Sequence, residues 1–213
     1  MKYRYIFFDL DGTLTDPGLG ITNSVQYALR QFGIDVQDRR ELYPFIGPPL
    51  SESFVKFYGF TEEQAQEAVT QYRVYFADTG IFENSVYPGI PELLKALNDA
   101  GMRPVLATSK PAVFAERILE HFDLKKFFHF VSGSELNGAR VEKADVIRFA
   151  LDALSITDLS EVIMVGDRCF DVEGAAACGL PAIGVLYGYG DEEELRNAAA
   201  IAKTVADLRE LLL

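Results

Sequence analysis

Short apolar runs alternate with amphipathic stretches along most of this chain. The first run, Tyr3 to Phe8, has the length of a buried strand and leads into the polar stretch Asp9–Thr15. From Tyr87 onward, strands and helices are predicted in a regular rhythm. Because alternating strands and helices form parallel sheets with right-handed crossovers, the pattern predicts an α/β fold with a parallel sheet as its core.

Local signals place the ends of these elements. Pro91 opens a helix that carries a stripe of leucines, and Gly101 ends it. The same reasoning predicts strands at 103–107, 127–131, 161–165 and 182–185, and helices at 112–121 and 143–154. Two short helices are expected to finish the chain.

Residues 16–84 interrupt this rhythm with helices. The apolar residues of the range 21–32 fall on one helical face. The Thr61–Gln64 stretch has the signature of a capping box at the start of a further helix. We therefore expect residues 16–84 to form a small α-helical cap domain, inserted into a core domain made of residues 1–15 and 85–213.

Composition narrows the classes of function. The 213 residues carry a net charge of −12, which argues against a nucleic-acid surface, because affinity for a phosphate backbone requires many Lys and Arg side chains. The same charge argues against anionic membranes, and no stretch approaches the length of a membrane span. Small phosphorylated ligands remain possible partners, because a bound metal can supply local positive charge.

The cysteines and the N-terminal segment bear on the cellular compartment. Cys169 and Cys178 are the only two cysteines, too few for a disulfide framework in a chain of this length. Asp9 breaks the first hydrophobic stretch before it reaches the length of a signal-peptide core. We expect a reducing compartment and a cytoplasmic protein.

Acidic residues follow two of the predicted strands. Asp9 and Asp11 come directly after the first strand, and Asp167 and Asp171 follow the strand at 161–165. The carboxyl ends of parallel strands gather at one edge of a sheet, which is where ligands bind in open α/β folds. Carboxylates brought together there repel each other unless a divalent cation or a shared proton separates them.

Other candidate site residues occupy comparable positions. Thr108 follows the strand at 103–107, with Ser109 beside it, and Lys143 stands at the predicted start of a helix. Thr108 and Lys143 can bind phosphate oxygens and stabilise negative charge that develops during a reaction. Gly12 leaves the backbone room for close approach of a phosphate. Gly12, Thr108, Ser109 and Lys143 are therefore the candidate substrate-binding residues.

The acid pair suggests phosphoryl transfer. Asp9, the first residue after the strand, is placed to attack phosphorus as a nucleophile and form an aspartyl-phosphate. Asp11 can protonate the leaving alkoxide and then deprotonate the attacking water. With Thr108 and Lys143, these two are the candidate catalytic residues.

A Mg²⁺ ion is the expected cofactor. It would bridge Asp9, Asp167 and a phosphate oxygen, and so reduce the repulsion between an anionic nucleophile and an anionic substrate. Asp171 would hold either Lys143 or a metal-bound water in place. We count Asp9, Asp11, Asp167 and Asp171 as candidate residues of the metal site.

Taken together, these residues resemble the four motifs of the haloacid dehalogenase superfamily of phosphatases. The motifs are Asp9–Thr15, Thr108, Lys143 and Gly166–Asp171, and the resemblance spans the whole chain. It implies an α/β core with a doubly wound, Rossmann-like parallel sheet and an inserted α-helical cap, and it implies Mg²⁺-dependent hydrolysis through an aspartyl-phosphate. It also implies that Asp9, Asp167 and the backbone carbonyl of Asp11 hold the metal. The dehalogenases lack the second Asp of the first motif, so its presence here points to phosphate.

Within this superfamily the chain is similar to the phosphoglycolate phosphatase and nucleotidase branch. Ile46–Leu50 and Thr108–Pro111 carry that similarity. Phosphoglycolate phosphatases usually follow the motif lysine with the pattern Lys-Pro-x-Pro, whereas Ala144 follows Lys143 here. This favours a nucleoside monophosphate as the substrate of a phosphomonoester hydrolase. The alternatives are a phosphoglycolate phosphatase, a sugar phosphomutase and a non-catalytic relative.

A signalling receiver domain is the alternative from a different class. Receiver domains also place an acid pair, a Thr and a Lys around Mg²⁺, but they are shorter, lack a helical insertion and carry the accepting Asp after a middle strand. Lys110 and Arg168 flank motif positions, and they either line the mouth of the site or lie on the solvated surface.

Overall fold

The computed structural model describes residues 3–213 and divides into two compact units. One comprises the chain up to Thr15 together with Val86–Leu213, and the other is Asp16–Ser85. The second unit is thus inserted in the sequence of the first. Its end falls after residue 85, one residue beyond the predicted limit of the insertion.

Strands and helices alternate through most of the first unit, and the helices between residues 16 and 85 belong to the second unit. The strands are β1 (Tyr5–Phe8), β2 (Thr15–Asp16), β3 (Ser85–Val86), β4 (Arg103–Pro111), β5 (Phe130–Ser134), β6 (Val162–Gly166), β7 (Ala182–Val185) and β8 (Ala200–Ala202). The helices are α1 (Gly18–Gln31), α2 (Leu50–Tyr58), α3 (Glu62–Phe76), α4 (Ile90–Asp99), α5 (Ala112–His121), α6 (Lys143–Ala153), α7 (Cys169–Ala177) and α8 (Val205–Leu212). The short strands β2 and β3 pair with each other where the chain passes between the two units.

Six strands of the first unit form one sheet in the order β5-β4-β1-β6-β7-β8, and every neighbouring pair is parallel. The first strand of the chain therefore lies inside the sheet, between β4 and β6. Helices flank the sheet, so the prediction of an α/β fold with a doubly wound parallel sheet is confirmed. The order also sets the carboxyl ends of β4, β1 and β6 side by side.

The core lies on both faces of the sheet. On one face, Phe7, Val105 and Met164 pack with buried residues of α6 and α7. The alternate residues of the same strands, Phe8 and Leu106 among them, are also fully buried. A strand whose side chains are buried on both faces reads as a continuous apolar run, which explains why β1 was readily predicted.

Helix α7, which carries Asp171, was not predicted, and three predicted elements differ from the structure. The strand predicted at 127–131 begins only at Phe130, because a short 3₁₀ turn occupies Lys125–Phe127. Strand β4 continues four residues beyond the predicted end, to Pro111. Two short helices were expected to finish the chain, but among the described residues only α8 follows β7, and the segment Ala200–Ala202 before it is the edge strand β8, which pairs with β7. Pairing with a distant strand here outweighs the helical preference of an alanine-rich segment.

The second unit is helical. Helix α1 packs against α3, and 3₁₀ turns cover Arg39–Phe45 and Gly80–Phe82. The predicted capping box is present: the Gln64 amide donates to the Thr61 hydroxyl at 3.2 Å, and the Thr61 amide donates to the Gln64 side chain at 2.9 Å. Within the described residues, no helix has both the length and the apolar character needed to cross a membrane.

We expect Thr61→Ala to destabilise α3 by about 1 kcal/mol, because the first turn of the helix loses the hydrogen bond from the Gln64 amide to the Thr61 hydroxyl. Hydrogen-exchange mass spectrometry of peptides from residues 61–76 measures this as faster exchange. Thr70→Ala on the same exposed helix surface is the matched control, since Thr70 bonds only to the preceding turn through Gln66 and caps nothing. Equal exchange rates in the two variants would contradict the expectation.

Candidate active site

Neighbouring strands place two carboxylates side by side. Asp9 follows β1, and its amide donates to the carbonyl of Val165 in β6 at 2.9 Å. Asp167 comes directly after the end of β6 and is fully buried. A third carboxylate, that of Asp171, enters from the first turn of α7. One oxygen of each group lies within 4.8 Å of the others, so Asp9, Asp167 and Asp171 form one cluster.

A buried ammonium group joins two members of this cluster. Lys143 is the first residue of α6, and its side chain is only 5% exposed. Its Nζ lies 2.8 Å from Asp9 Oδ1 and 2.8 Å from Asp171 Oδ1, and it donates to the carbonyl of Ala107 at 3.1 Å. Three separate segments therefore meet at a single cation.

Asp171 is held on both of its oxygens. While Oδ1 faces Lys143, Oδ2 accepts from the backbone amide of Arg168 at 3.1 Å. This reciprocal contact closes the first turn of α7. Both oxygens of Asp171 therefore have partners within the protein, and one partner is Lys143, which is one of the two groups that Asp171 was predicted to hold in place.

The Asp167 carboxylate is surrounded closely by backbone and by one hydroxyl group. The amide of Tyr189 donates to its Oδ2 at 2.8 Å, and the Thr13 hydroxyl donates to its Oδ1 at 3.4 Å. A Cβ on Gly12 would lie 2.1 Å from Oδ2, and a Cβ on Gly188 would lie 2.5 Å from the Asp167 Cβ. Gly12 also has a φ of +84°, which side chains other than glycine rarely adopt. Two glycines are thus required for the backbone to approach this carboxylate.

The electrostatics of the cluster show an excess of negative charge. Burial, and then the charges of Asp171 and Asp9, raise the pKa of Asp167 well above its usual range. Burial also raises the pKa of Asp171 to about 6, although the Lys143 ammonium opposes this shift. Burial lowers the pKa of Lys143, but the two carboxylates beside it outweigh that effect and raise it, so the side chain stays charged.

Asp11 is not part of this cluster, and its carboxylate is paired with a different lysine, Lys110. Its Oδ2 lies 2.7 Å from the Nζ of Lys110, and the two side chains are 14% and 7% exposed. Burial raises the pKa of Asp11, and Lys110 opposes that shift without reversing it. Lys110 is therefore a buried partner of a predicted catalytic residue, and the prediction that left open a solvated surface position is corrected.

Thr108 and Ser109 lie near the end of β4, the strand beside β1. Thr108 is buried, and its hydroxyl accepts from the amide of Lys110 at 3.2 Å. The carbonyl of Ser109 accepts from the Ser134 hydroxyl at 2.7 Å. The structure thus places both residues at the sheet edge that carries Asp9, while their predicted roles toward a substrate stay predictions.

Sequence reasoning missed the contribution of a loop after β7. Tyr187 is partly buried, and its hydroxyl donates to the carbonyl of Thr13 at 3.0 Å. The next residues supply Gly188 and the Tyr189 amide, which contact Asp167. The signal was present in the sequence, because the Tyr-Gly-Tyr-Gly stretch also follows a predicted strand.

The sequence left open whether Arg168 lines the mouth of the site or lies on the solvated surface. In the structure its side chain is partly buried. Its guanidinium binds Glu194 through Nε at 2.8 Å and through a second nitrogen at 3.1 Å. The pair ties the loop after β6 to the segment near the end of the chain. Arg168 therefore supports the loop that carries Asp167.

The cluster has the composition of a divalent-cation site. Carboxylate oxygens are the ligands that hard cations such as Mg²⁺ prefer. Burial, followed by the charges of Asp171 and Asp9, raises the pKa of Asp167, so a cation bound beside this carboxylate would favour its ionised form. Asp9 and Asp167 therefore fit a divalent metal on chemical grounds as well as by their spacing.

Comparison with known proteins agrees with this geometry. The sequence model of the haloacid dehalogenase-like hydrolases matches residues 6–185. A crystal structure of a predicted phosphatase from Clostridium acetobutylicum superposes with a TM-score of 0.96 at 49% identity, covering 100% of this chain and 99% of that one.

Curated relatives carry two kinds of name. A protein of Pseudomonas aeruginosa called 5′-nucleotidase is 50% identical, over 100% of this chain and 96% of that protein. The tyrosine-protein kinase PtkA of Mycobacterium tuberculosis is 38% identical, over 98% of this chain and 72% of that protein.

Fold, site and relatives together define a hydrolase of phosphate compounds built on a parallel α/β sheet. The chain belongs to the haloacid dehalogenase-like hydrolase family, and it is a phosphatase. Members of this family generally use a divalent metal, and among the residues that the structure describes, the cluster of Asp9, Asp167 and Asp171 could hold one.

We expect Gly12→Ala to lower the hydrolysis of p-nitrophenyl phosphate by about a hundredfold, because the new Cβ would displace the Asp167 carboxylate. The measurement is kcat/KM with purified variants of verified fold.

Gly101→Ala is the matched control for backbone strain. Gly101 has a similar positive φ of +78°, but nothing lies within 4 Å of an added Cβ there. This variant should lose some stability and keep its activity. If both variants lost activity equally, strain in the backbone and not the clash with Asp167 would be responsible.

Proposed function

We propose that this protein is a Mg²⁺-dependent phosphomonoester hydrolase that works through an aspartyl-phosphate on Asp9, with a nucleoside monophosphate as the favoured substrate. The observation that carries the proposal is the arrangement around Asp9. Its carboxylate is ion-paired to buried Lys143 and lies within 4.8 Å of Asp167.

Asp9, Asp167 and the backbone carbonyl of Asp11 would hold the Mg²⁺. The bound ion would supply positive charge that allows an anionic carboxylate to meet an anionic phosphate. Asp171 would act indirectly, since its oxygens already contact Lys143 and the Arg168 amide.

The first step forms the covalent intermediate. A carboxylate oxygen of Asp9 attacks phosphorus, the bond from phosphorus to the ester oxygen breaks, and its electron pair stays on the leaving oxygen. Asp11 gives its proton to that oxygen, so that an alcohol departs. The raised pKa of Asp11 supports this role, because a protonated carboxyl is needed at the start.

The second step returns the enzyme to its initial state. A water molecule attacks the phosphorus of the aspartyl-phosphate and gives a proton to the Asp11 carboxylate. The bond between phosphorus and the Asp9 oxygen breaks, which releases inorganic phosphate and restores the Asp9 carboxylate. Asp11 is again protonated for the next substrate.

The remaining site residues would bind the transferred phosphoryl group. The ammonium of Lys143 and the hydroxyl of Thr108 would stabilise negative charge on its oxygens during both steps. Ser109 and the backbone at Gly12 would complete the phosphate site. Lys143 is well suited to this, since the carboxylates beside it keep its side chain charged.

The choice of substrate rests on two observations. A relative called 5′-nucleotidase is half identical to this chain over its whole length. In addition, Ala144 replaces the proline that usually follows the motif lysine in phosphoglycolate phosphatases. The role of residues 16–84 as a cap that selects the leaving group stays a prediction.

We expect Asp9→Asn to reduce turnover by about 10⁴-fold or more, as removal of a covalent nucleophile does in other enzymes. Steady-state phosphate release and a thermal unfolding curve together measure this. Asp99→Asn, at an exposed position paired with Lys95, is the control and should keep full activity. Residual hydrolysis above a few per cent in folded Asp9→Asn would show that another group is the nucleophile.

A substrate panel tests the proposed reaction. We expect phosphate release with Mg²⁺, loss of release with EDTA, recovery when Mg²⁺ is added back, and the highest kcat/KM for nucleoside monophosphates. The panel includes phosphoglycolate, sugar phosphates and phosphotyrosine, the last because one relative is called a tyrosine kinase. A preference for phosphoglycolate would favour the alternative substrate. No release from any ester by folded protein with Mg²⁺ would contradict the proposed function.

A further inference from the structure

The ion pair between Lys110 and Asp11 is largely shielded from solvent, unlike the exposed ion pairs on the protein surface. Their side chains are 7% and 14% exposed, and the Nζ to Oδ2 distance is 2.7 Å. A lysine normally extends its ammonium group into water, because burying a charge carries a large desolvation penalty. A buried pair of this kind needs an explanation in terms of what it holds in place.

The backbone around Lys110 is fixed by close contacts. Its amide donates to the Thr108 hydroxyl at 3.2 Å. A Cβ on Gly133 would lie 2.7 Å from the Lys110 carbonyl oxygen, so β5 approaches this segment as closely as its backbone allows. The pairing of β4 with β5 also shifts register between Thr108 and Pro111. Lys110 is therefore presented from a defined backbone and not from a free loop.

The two oxygens of Asp11 have different surroundings. Oδ2 faces the Lys110 ammonium. Oδ1 is buried, and among the described residues it has no hydrogen-bond partner. One oxygen is thus anchored by the protein, and the other is left for a group that the protein does not provide.

We propose that Lys110 is a positioning residue for the reaction: it anchors Oδ2 of Asp11 so that Oδ1 is held ready to pass a proton to the leaving oxygen. This inference rests on the proposed role of Asp11. The proton moves from Asp11 to the leaving oxygen, and Lys110 keeps its own protons throughout. Lys143, which faces Asp9 and Asp171, has no part in this contact.

Two esters with different leaving groups separate this role from others. An alkyl ester, such as a nucleoside monophosphate, needs a proton on its leaving oxygen, whereas p-nitrophenolate departs without one. We expect Lys110→Met to lower kcat/KM for the alkyl ester by about ten- to a hundredfold, and for p-nitrophenyl phosphate by less than about threefold. A residue that binds phosphate or merely supports the fold would affect both esters by the same factor.

A double-mutant cycle tests whether Lys110 acts through Asp11. Asp11→Asn should lower kcat/KM selectively for the alkyl ester, as Lys110→Met does. Adding Lys110→Met to Asp11→Asn should not lower this kcat/KM further. The double variant buries no unpaired charge at this site, so it remains informative if Lys110→Met alone does not fold. Lys126→Met, which removes an exposed lysine paired with Asp123, is the control and should match the wild type.

Several results would contradict the positioning role of Lys110 or the proposed role of Asp11. Equal losses on both esters in Lys110→Met, or a further loss in the Asp11→Asn background, would overturn the positioning role alone. No loss in Lys110→Met, with selective loss in Asp11→Asn, would do the same and leave the proposed function standing. If Asp11→Asn itself showed no dependence on the leaving group, the proposed role of Asp11 would fail, and the inference about Lys110 with it.

Discussion

The arrangement of this site depends on a buried ammonium group. Lys143 lies 2.8 Å from both Asp9 and Asp171, and it also binds the carbonyl of Ala107. These contacts join the end of β1, the end of β4 and the first turn of α7 to the start of α6. A lysine buried to this degree is stable only when carboxylates surround it. Conversely, the Lys143 charge reduces the repulsion between the Asp9 and Asp171 carboxylates.

Glycines make this proximity possible. A Cβ on Gly174 would lie 2.7 Å from the Lys143 side chain, and a Cβ on Gly166 would lie 2.1 Å from the Asp171 carboxyl carbon. Each position lets backbone or a helix approach a charged group directly. The glycines thus allow the short distances between the Lys143 ammonium group and the carboxylates around it. Substitution at either class of residue would therefore disturb the same cluster.

The sequence was sufficient to predict the parallel sheet and the approach of Asp9, Asp167 and Lys143, because buried strands are continuous apolar runs and their carboxyl ends meet at one edge. It was insufficient for Lys110. Burial of that residue depends on β4 continuing past Thr108 and on the position of Asp11, both set by contacts distant in sequence. Strand β8 was missed for the same reason, since only its pairing with β7 makes an alanine-rich segment extended.

The two lysines divide the acids of the site between them. Lys143 faces Asp9 and Asp171, Lys110 faces Asp11, and Asp167 contacts backbone amide and hydroxyl groups instead of a lysine. Asp9 and Asp171 share one ammonium group and Asp167 has none beside it, so negative charge exceeds positive charge in this cluster when its three acids are ionised. A phosphate monoester is itself a dianion at neutral pH, so it would be repelled from such a site. A divalent cation, which members of this family generally use, would offset this excess of negative charge.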